Sequence, residues 1–334
     1  MLLAVVVLAV GFDYINGFHD TANAIATSVA TRALRPKHAL LMAAAFNFIG
    51  AFAGTAVANT IGKGLVDEQT TTQAIVAAAL LGAITWNLIT WSLGLPSSSS
   101  HALIGGLLGA TMAAVGSSAL KIDGIINKVL IPLVTSPVIG FFGAFLLMIG
   151  LSWLVHAITR GDGGPNRRAV STVFRRLQVF SAGFMAFAHG SNDAQKTMGI
   201  ITLALFSAGV IPTIEVPFWV IVISATAISL GTAIGGWRIM QTMGHRVVDL
   251  EPIHGFAAET TAATIIYTAA HFGMPVSTTH VISSAIMGVG TSQGIRGVKW
   301  GVARRILVAW VLTIPAAATV GALAWFVLNA VGLG

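Results

Sequence analysis

The chain has 334 residues, 55% of them hydrophobic and 9% charged, and a mean hydropathy of +0.86. A soluble domain carries about a quarter charged residues, so this composition excludes one and implies a polytopic α-helical membrane protein. The absence of cysteine excludes disulfides and thiolate metal sites. The net charge of +7 sits in short loops, the pattern of membrane topology rather than of a nucleic-acid partner.

In chain order, residues 1–31 are long enough to cross a bilayer, with a polar break inside. No basic leader precedes their apolar run and Asp13 interrupts it, so the segment reads as a retained helix rather than a cleaved signal. Residues 38–60 make a second crossing. Residues 73–94 enter, break at 96–101, and continue as a short apolar run to about Val115 before 129–157 cross again. The basic stretch 160–176, with Gly161-Asp162-Gly163-Gly164-Pro165-Asn166 inside it, reads as a linker. It divides the chain into a first membrane repeat (1–157), a cytoplasmic linker (158–177) and a second repeat (178–334). The second half follows the same plan: 178–209, 216–236, 252–272 broken at Pro275, 277–293 and 302–331.

Two signatures recur between the halves. Gly17-Phe18-His19-Asp20 returns as Gly190-Ser191-Asn192-Asp193, shifted by 173 residues. Gly94-Leu95-Pro96-Ser97-Ser98-Ser99-Ser100-His101 returns as Gly273-Met274-Pro275-Val276-Ser277-Thr278-Thr279-His280, shifted by 179. Duplicated, interrupted hydrophobic segments are the mark of a secondary transporter. If each serine-rich break is a re-entrant hairpin, each half crosses three times and the second half is inverted. Fourteen of the eighteen Lys and Arg residues then share the cytoplasmic side, against three outside. The expected fold is an all-α polytopic membrane protein of two inverted-topology repeats, each with a broken helix and a re-entrant helical hairpin.

Asp13, Asn16, Asp20, Asn23 and Thr27 alternate at spacings of three and four, which lines five polar groups along one helix stripe. A carboxylate in the membrane costs several kcal/mol unless it faces a polar interior or a partner, so the stripe marks a transport site. Its oxygens suit Na⁺, and an aspartate there can equally take up a proton. The second half places His189, Asp193 and Lys196 where the first has Asn16, Asp20 and Asn23. Lys196 either pairs with Asp193 across a turn or contacts an anionic substrate. Glu259 is the last intramembrane acid, and its first-half counterpart is Leu80.

Pro96 and Pro275 stop the preceding helices. Ser97 to Ser100, and Ser277 with Thr278 and Thr279, then sit where the next short helices begin, among free N–H groups at the positive end of the helix dipole. Simple N-capping accounts for one such residue. A run of hydroxyls in each half points instead to two helix N-termini that clamp a tetrahedral oxyanion near the midplane. His19, His101, His189 and His280 lack catalytic-metal spacing. A Ser100–His101 hydrolase is the alternative of a different class, but adjacent residues do not form a dyad and no G-x-S-x-G elbow is present. Gly50-x-x-x-Gly54, Gly105-x-x-x-Gly109 and Gly231-x-x-x-Gly235 mark close helix packing.

At these motifs the sequence resembles the inorganic phosphate transporter (PiT) family in its bacterial, low-affinity permease form. Gly17 to Ala24 resembles the family's G-x-x-D-x-A-N signature, His189 to Gly199 its second, and both G-x-P-x-S-[ST]-[ST]-H segments match. The resemblance covers nearly the whole chain. It implies import of inorganic phosphate across a plasma (inner) membrane by symport with Na⁺ or H⁺, with alternating access, a homodimer, no cofactor and no enzymatic reaction. It assigns Asp20, Asn23, Asp193 and Glu259 to cation binding or proton coupling, with Asp20 and Asp193 as metal ligands if the ion is Na⁺. It assigns Ser98, Ser99, Ser100, Ser277, Thr278, Thr279, Asn23, Gln195 and Lys196 to phosphate. Two positions depart from the family pattern: Asn47 stands where eukaryotic members carry a glutamate, and Lys196 replaces an asparagine. A sulfate permease of the same superfamily is the near alternative.

Overall fold

A computed structural model describes residues 1–160 and 166–334. Among them the chain is all-helical, and its only β pairing is two isolated bridges, Val66–Leu120 and Val248–Val298. The first half contains α1 (Leu2–Ala30), α2 (Pro36–Gly50), α3 (Ala56–Lys63), α4 (Gln73–Leu93), α5 (Ser99–Ala114) and α6 (Ile122–Thr159). The second contains α7 (Arg167–Ser207), α8 (Phe218–Ile234), α9 (Trp237–Arg246), α10 (Pro252–His271), α11 (Thr278–Thr291) and α12 (Trp300–Ala330). The two sets correspond one to one in order. α1, α4, α6 and α12 are long and apolar enough to cross a membrane, and α8 with α9, bent by 61° at their break, is so as a pair.

Three sequence expectations change. The polar run inside residues 1–31 interrupts the hydropathy but not the helix: α1 continues through Gly17 to Asp20, as α7 does through Gly190 to Asp193. Polar side chains there are satisfied or enclosed by neighbouring helices, so the backbone has no reason to open. Residues 38–60 are not one crossing but two helices, because the chain turns between Gly50 and Ala56. The same break falls at Gly235, whose φ of +82° is open to glycine without strain. The basic stretch 158–177 is not all linker: α7 starts at Arg167, capped by the Asn166 side chain, which accepts from Ala169 N at 2.9 Å. The 161–165 part of that linker lies outside the described residues.

Each hairpin packs on the opposite half. α5 lies against α12 as well as α4, and α11 lies against α6 as well as α10. α1 and α7 run side by side through the middle, α1 against α8 and α7 against α2. Glycine permits these approaches. A Cβ on Gly17 would come within 2.9 Å of Thr232 N, and one on Gly190 within 2.7 Å of the Asn47 Cα. The apolar core accordingly forms two clusters, one around α5 and one around α11, each drawing residues from both halves.

Candidate functional site

The two hairpin turns are built the same way. α4 ends at Gly94 (φ +63°) with Leu95 N donating to Thr90 O at 2.9 Å; α10 is followed by Gly273 (φ +66°) with Met274 N donating to Ala269 O at 2.8 Å. Both are Schellman-type stops that glycine makes without strain. A tight turn centred on each proline follows, closed by Ser97 N to Leu95 O and by Val276 N to Met274 O, both 2.9 Å. α5 and α11 then begin inside the protein. Ser98 accepts from His101 N at 3.2 Å and Ser277 from His280 N at 3.1 Å, so each is a true N-cap. The next hydroxyls, on Ser99, Ser100, Thr278 and Thr279, are buried and point at α1 and α7.

Around those tips the central helices place their polar stripe. Asn23 Nδ2 donates to Thr279 Oγ1 at 2.9 Å and to Thr278 Oγ1 at 3.2 Å, and Thr278 Oγ1 donates to Asp193 Oδ2 at 3.2 Å. Lys196 donates from Nζ to Asp193 Oδ1, to Ser100 Oγ and, at 3.1 Å, to Val276 O. It is 1% exposed, and a buried ammonium is tolerated only when paired and fully hydrogen-bonded. Lys196 thus ties one hairpin tip to the other. On the first-half side, His19 Nδ1 lies 2.6 Å from Asp20 Oδ1 and its Nε2 lies 3.0 Å from Thr90 Oγ1; Ser99 Oγ is 3.5 Å from His19 Nδ1. On the second-half side, His189 Nε2 lies 3.1 Å from Asp193 Oδ2 and its Nδ1 lies 3.0 Å from Asn47 Oδ1. Asp20, His189 and Asp193 bring ligand atoms within 4.8 Å of one another, a group able to hold a cation between the two halves.

Behind the tips, the rings of His101 and His280 meet edge to face at 4.7 Å, and His280 stacks on Trp310 at 3.9 Å. Trp310 Nε1 in turn donates to Pro96 O at 3.2 Å. These histidines pack the hairpins together.

Two expected site residues stand elsewhere. Gln195 does not face the tips: its Oε1 accepts from Val57 N at 2.8 Å, capping the start of α3, and its Nε2 donates to Ser191 O. On a helix that presents Asp193 and Lys196 inward, the residue between them faces away. Glu259 is one helix layer removed. It accepts from Thr27 Oγ1 through Oε1, from Gln178 Nε2 at 3.2 Å and from Ser181 Oγ at 2.5 Å. Gln178 Oε1 also accepts from Thr31 Oγ1 at 2.7 Å. Thr31 lines a cavity of about 1140 Å³ at the basic end of α1, together with Arg32, His156, Arg175 and His254. Gln178, Ser181 and Thr31 escaped the sequence reading, although Gln178 and Ser181 stand at i, i+3 and Thr27 and Thr31 at i, i+4, spacings that align each pair.

Known proteins resemble this chain in sequence and in overall fold. The profile of the Phosphate transporter family matches residues 16–321. A Bacillus subtilis (strain 168) protein named "Probable low-affinity inorganic phosphate transporter" is 48% identical over 98% of this chain and 97% of its own. A protein of the same name from Rhizobium meliloti (strain 1021) is 48% identical over 99% and 97%. A solved structure titled "The sodium-dependent phosphate transporter" superposes with a TM-score of 0.87 at 27% identity, covering 98% of each chain.

Proposed function

The chain belongs to the phosphate transporter family, and from that premise we propose that it imports inorganic phosphate by symport with a cation. It does so by alternating access around the buried junction of α1, α7 and the two hairpin tips. The observation that carries this reading is the convergence itself. Two helix N-termini bearing Ser98, Ser99, Ser100, Ser277, Thr278 and Thr279 meet two carboxylates, Asn23 and Lys196 in one enclosed place. Helix N-termini and hydroxyls donate to an oxyanion, Lys196 adds a positive charge, and Asp20 with Asp193 recruits the cation that offsets the anion's charge.

The repeats are inverted in the membrane and the basic loops are cytoplasmic, which makes the cavity beside Thr31 and Arg175 the inward vestibule. The protein is placed in the plasma membrane as a homodimer, as the family pattern implies. A proton is the favoured coupling ion. Histidine nitrogens lie against both aspartates, whereas Na⁺ prefers oxygen ligands. Na⁺ is the second reading, favoured by the sodium-dependent structural relative. The test is uptake of labelled phosphate into proteoliposomes with Na⁺ and pH gradients imposed separately. Accumulation above protein-free vesicles under one gradient is expected, and none under either overturns the reading.

A further inference from the structure

Asp13 is a buried acid that the site described so far does not use. It lies on α1 with no exposure, and neither carboxyl oxygen has a hydrogen-bond partner. Asn16 of α1 and Thr197 of α7 face it without adopting hydrogen-bonding geometry, and Asn16 Oδ1 and Thr197 Oγ1 are themselves buried and unpartnered. The enclosure is therefore lined with polar atoms that are not satisfied by one another.

Its position is regular. Asp13 precedes Asp20 by seven residues and Thr27, which holds Glu259, follows Asp20 by seven. At 1.5 Å per residue the three acidic stations are spaced about 10 Å apart along one face of α1. Glu259 lies on the side of the inward vestibule and Asp13 on the other. The internal duplication does not repeat Asp13, whose second-half counterpart is Ala186.

The charges around Asp13 decide its state. The helices that pack most closely on α1 are α8, α7 and α4. α4 and α8 carry no titratable side chain. α7 presents Asp193 and Lys196, and α1 itself presents Asp20. The Lys196 ammonium is fully engaged by Asp193, Ser100 and the Val276 carbonyl. Among the described residues no cation pairs with Asp13. An unpaired carboxylate inside the membrane costs several kcal/mol, and a second anion beside Asp193 and a bound oxyanion adds repulsion. A neutral carboxylic acid avoids both, and it presents a donor to the unpartnered oxygens of Asn16 or Thr197.

We propose that Asp13 is a proton-binding residue of the transport cycle, an acid that must be protonated for the central site to hold its anion. This rests on the phosphate-symport reading. The proton is taken from water on the outer side, stays on the carboxyl while the anion is bound, and leaves to water on the inner side once the anion has gone. Only the carboxyl's protonation changes.

Two experiments test it. The first needs no transport: infrared difference spectra of wild type against Asp13→Asn at neutral pH, without phosphate. A protonated-carboxyl band that is lost in the variant is expected, and ionised-carboxylate bands in its place overturn the assignment. The second compares proteoliposomes. Asp13→Asn, which mimics the neutral acid, keeps phosphate exchange between equal pools but loses accumulation driven by a pH gradient. Asp13→Glu, which retains a carboxyl, keeps accumulation with a shifted pH profile. Unchanged pH profiles in both variants overturn the proposal. So does loss of Na⁺ dependence with the pH profile intact, which would make Asp13 an alkali-cation ligand. A wild type that accumulates no phosphate overturns the transport reading instead, and leaves the infrared result to decide Asp13.

Discussion

Asn23 and Lys196 occupy equivalent places on α1 and α7, and each reaches across to the hairpin of the other half. Asn23 donates to Thr278 and Thr279 of α11, and Lys196 donates to Ser100 of α5. Every hairpin is therefore held by its partner's central helix as well as by its partner's long apolar helix. A movement of one half relative to the other must strain or reform these contacts. The proposed alternating access would therefore act directly on the site.

Lys196 gives the most direct energetic test. Lys196→Met leaves Asp193 buried with only His189 and Thr278 beside it, and removing one partner of a buried ion pair costs about 3–5 kcal/mol. A marked fall in thermal stability in detergent is expected. The double variant Lys196→Met, Asp193→Asn should recover most of that loss, because no uncompensated charge remains, and should still fail to transport. A single variant as stable as wild type would show that the pair contributes nothing net.

Asp20 and Asp193 are expected to be the coupling carboxylates of the central site. Asp20→Asn keeps the shape and removes the charge that His19 contacts at 2.6 Å. Gradient-driven phosphate uptake should be abolished in Asp20→Asn and in Asp193→Asn, with folded protein still recovered from the membrane. Uptake with unchanged cation dependence in either variant assigns that residue a structural role.

Much of this site was legible because its residues violate the membrane's rule. Aspartates, serine runs and a lysine stand out in a chain that is 55% hydrophobic, and their repetition fixes which belong together. What stayed hidden was tertiary. The Glu259 nest draws on Thr27, Gln178 and Ser181 from two other helices, ordinary residues until packing gathers them. The break between α2 and α3 falls in apolar sequence that only Gly54 punctuates, so periodicity alone ran it through as one crossing. Gln195, which the family resemblance assigns to phosphate, is turned by its own direction on the helix toward α3.

The proposed inverted arrangement makes a prediction about sidedness. The chain has no native cysteine, so single cysteines at Gln69, Val210, Asn166 and Ile295 label against a clean background. Asn166→Cys and Ile295→Cys should react only from the cytoplasmic face, and Gln69→Cys and Val210→Cys only from outside. Labelling of Gln69→Cys and Asn166→Cys from one face would remove the basis for inverted repeats.

The hydroxyls at the tips should set both affinity and selectivity. Ser99→Ala and Thr278→Ala each remove a hydroxyl from a helix N-terminus of the proposed anion site, the Thr278 proton having to turn from Asp193 to the anion. A hydrogen bond to a charged group is worth about 1.5–3 kcal/mol, so each variant should weaken half-maximal phosphate uptake by roughly 10- to 150-fold. Near neutral pH phosphate keeps a proton that a carboxylate oxygen such as that of Asp20 can accept as a hydrogen bond, and sulfate has none to give. Leaving that buried acceptor unpaired costs about 1–3 kcal/mol, enough to disfavour sulfate by roughly 5- to 150-fold. Arsenate, with the same shape and proton, should compete well with labelled phosphate and sulfate poorly. Equal competition by sulfate would mean that the carboxylates do not read the anion's proton, and would move the assignment to a sulfate permease of the same superfamily.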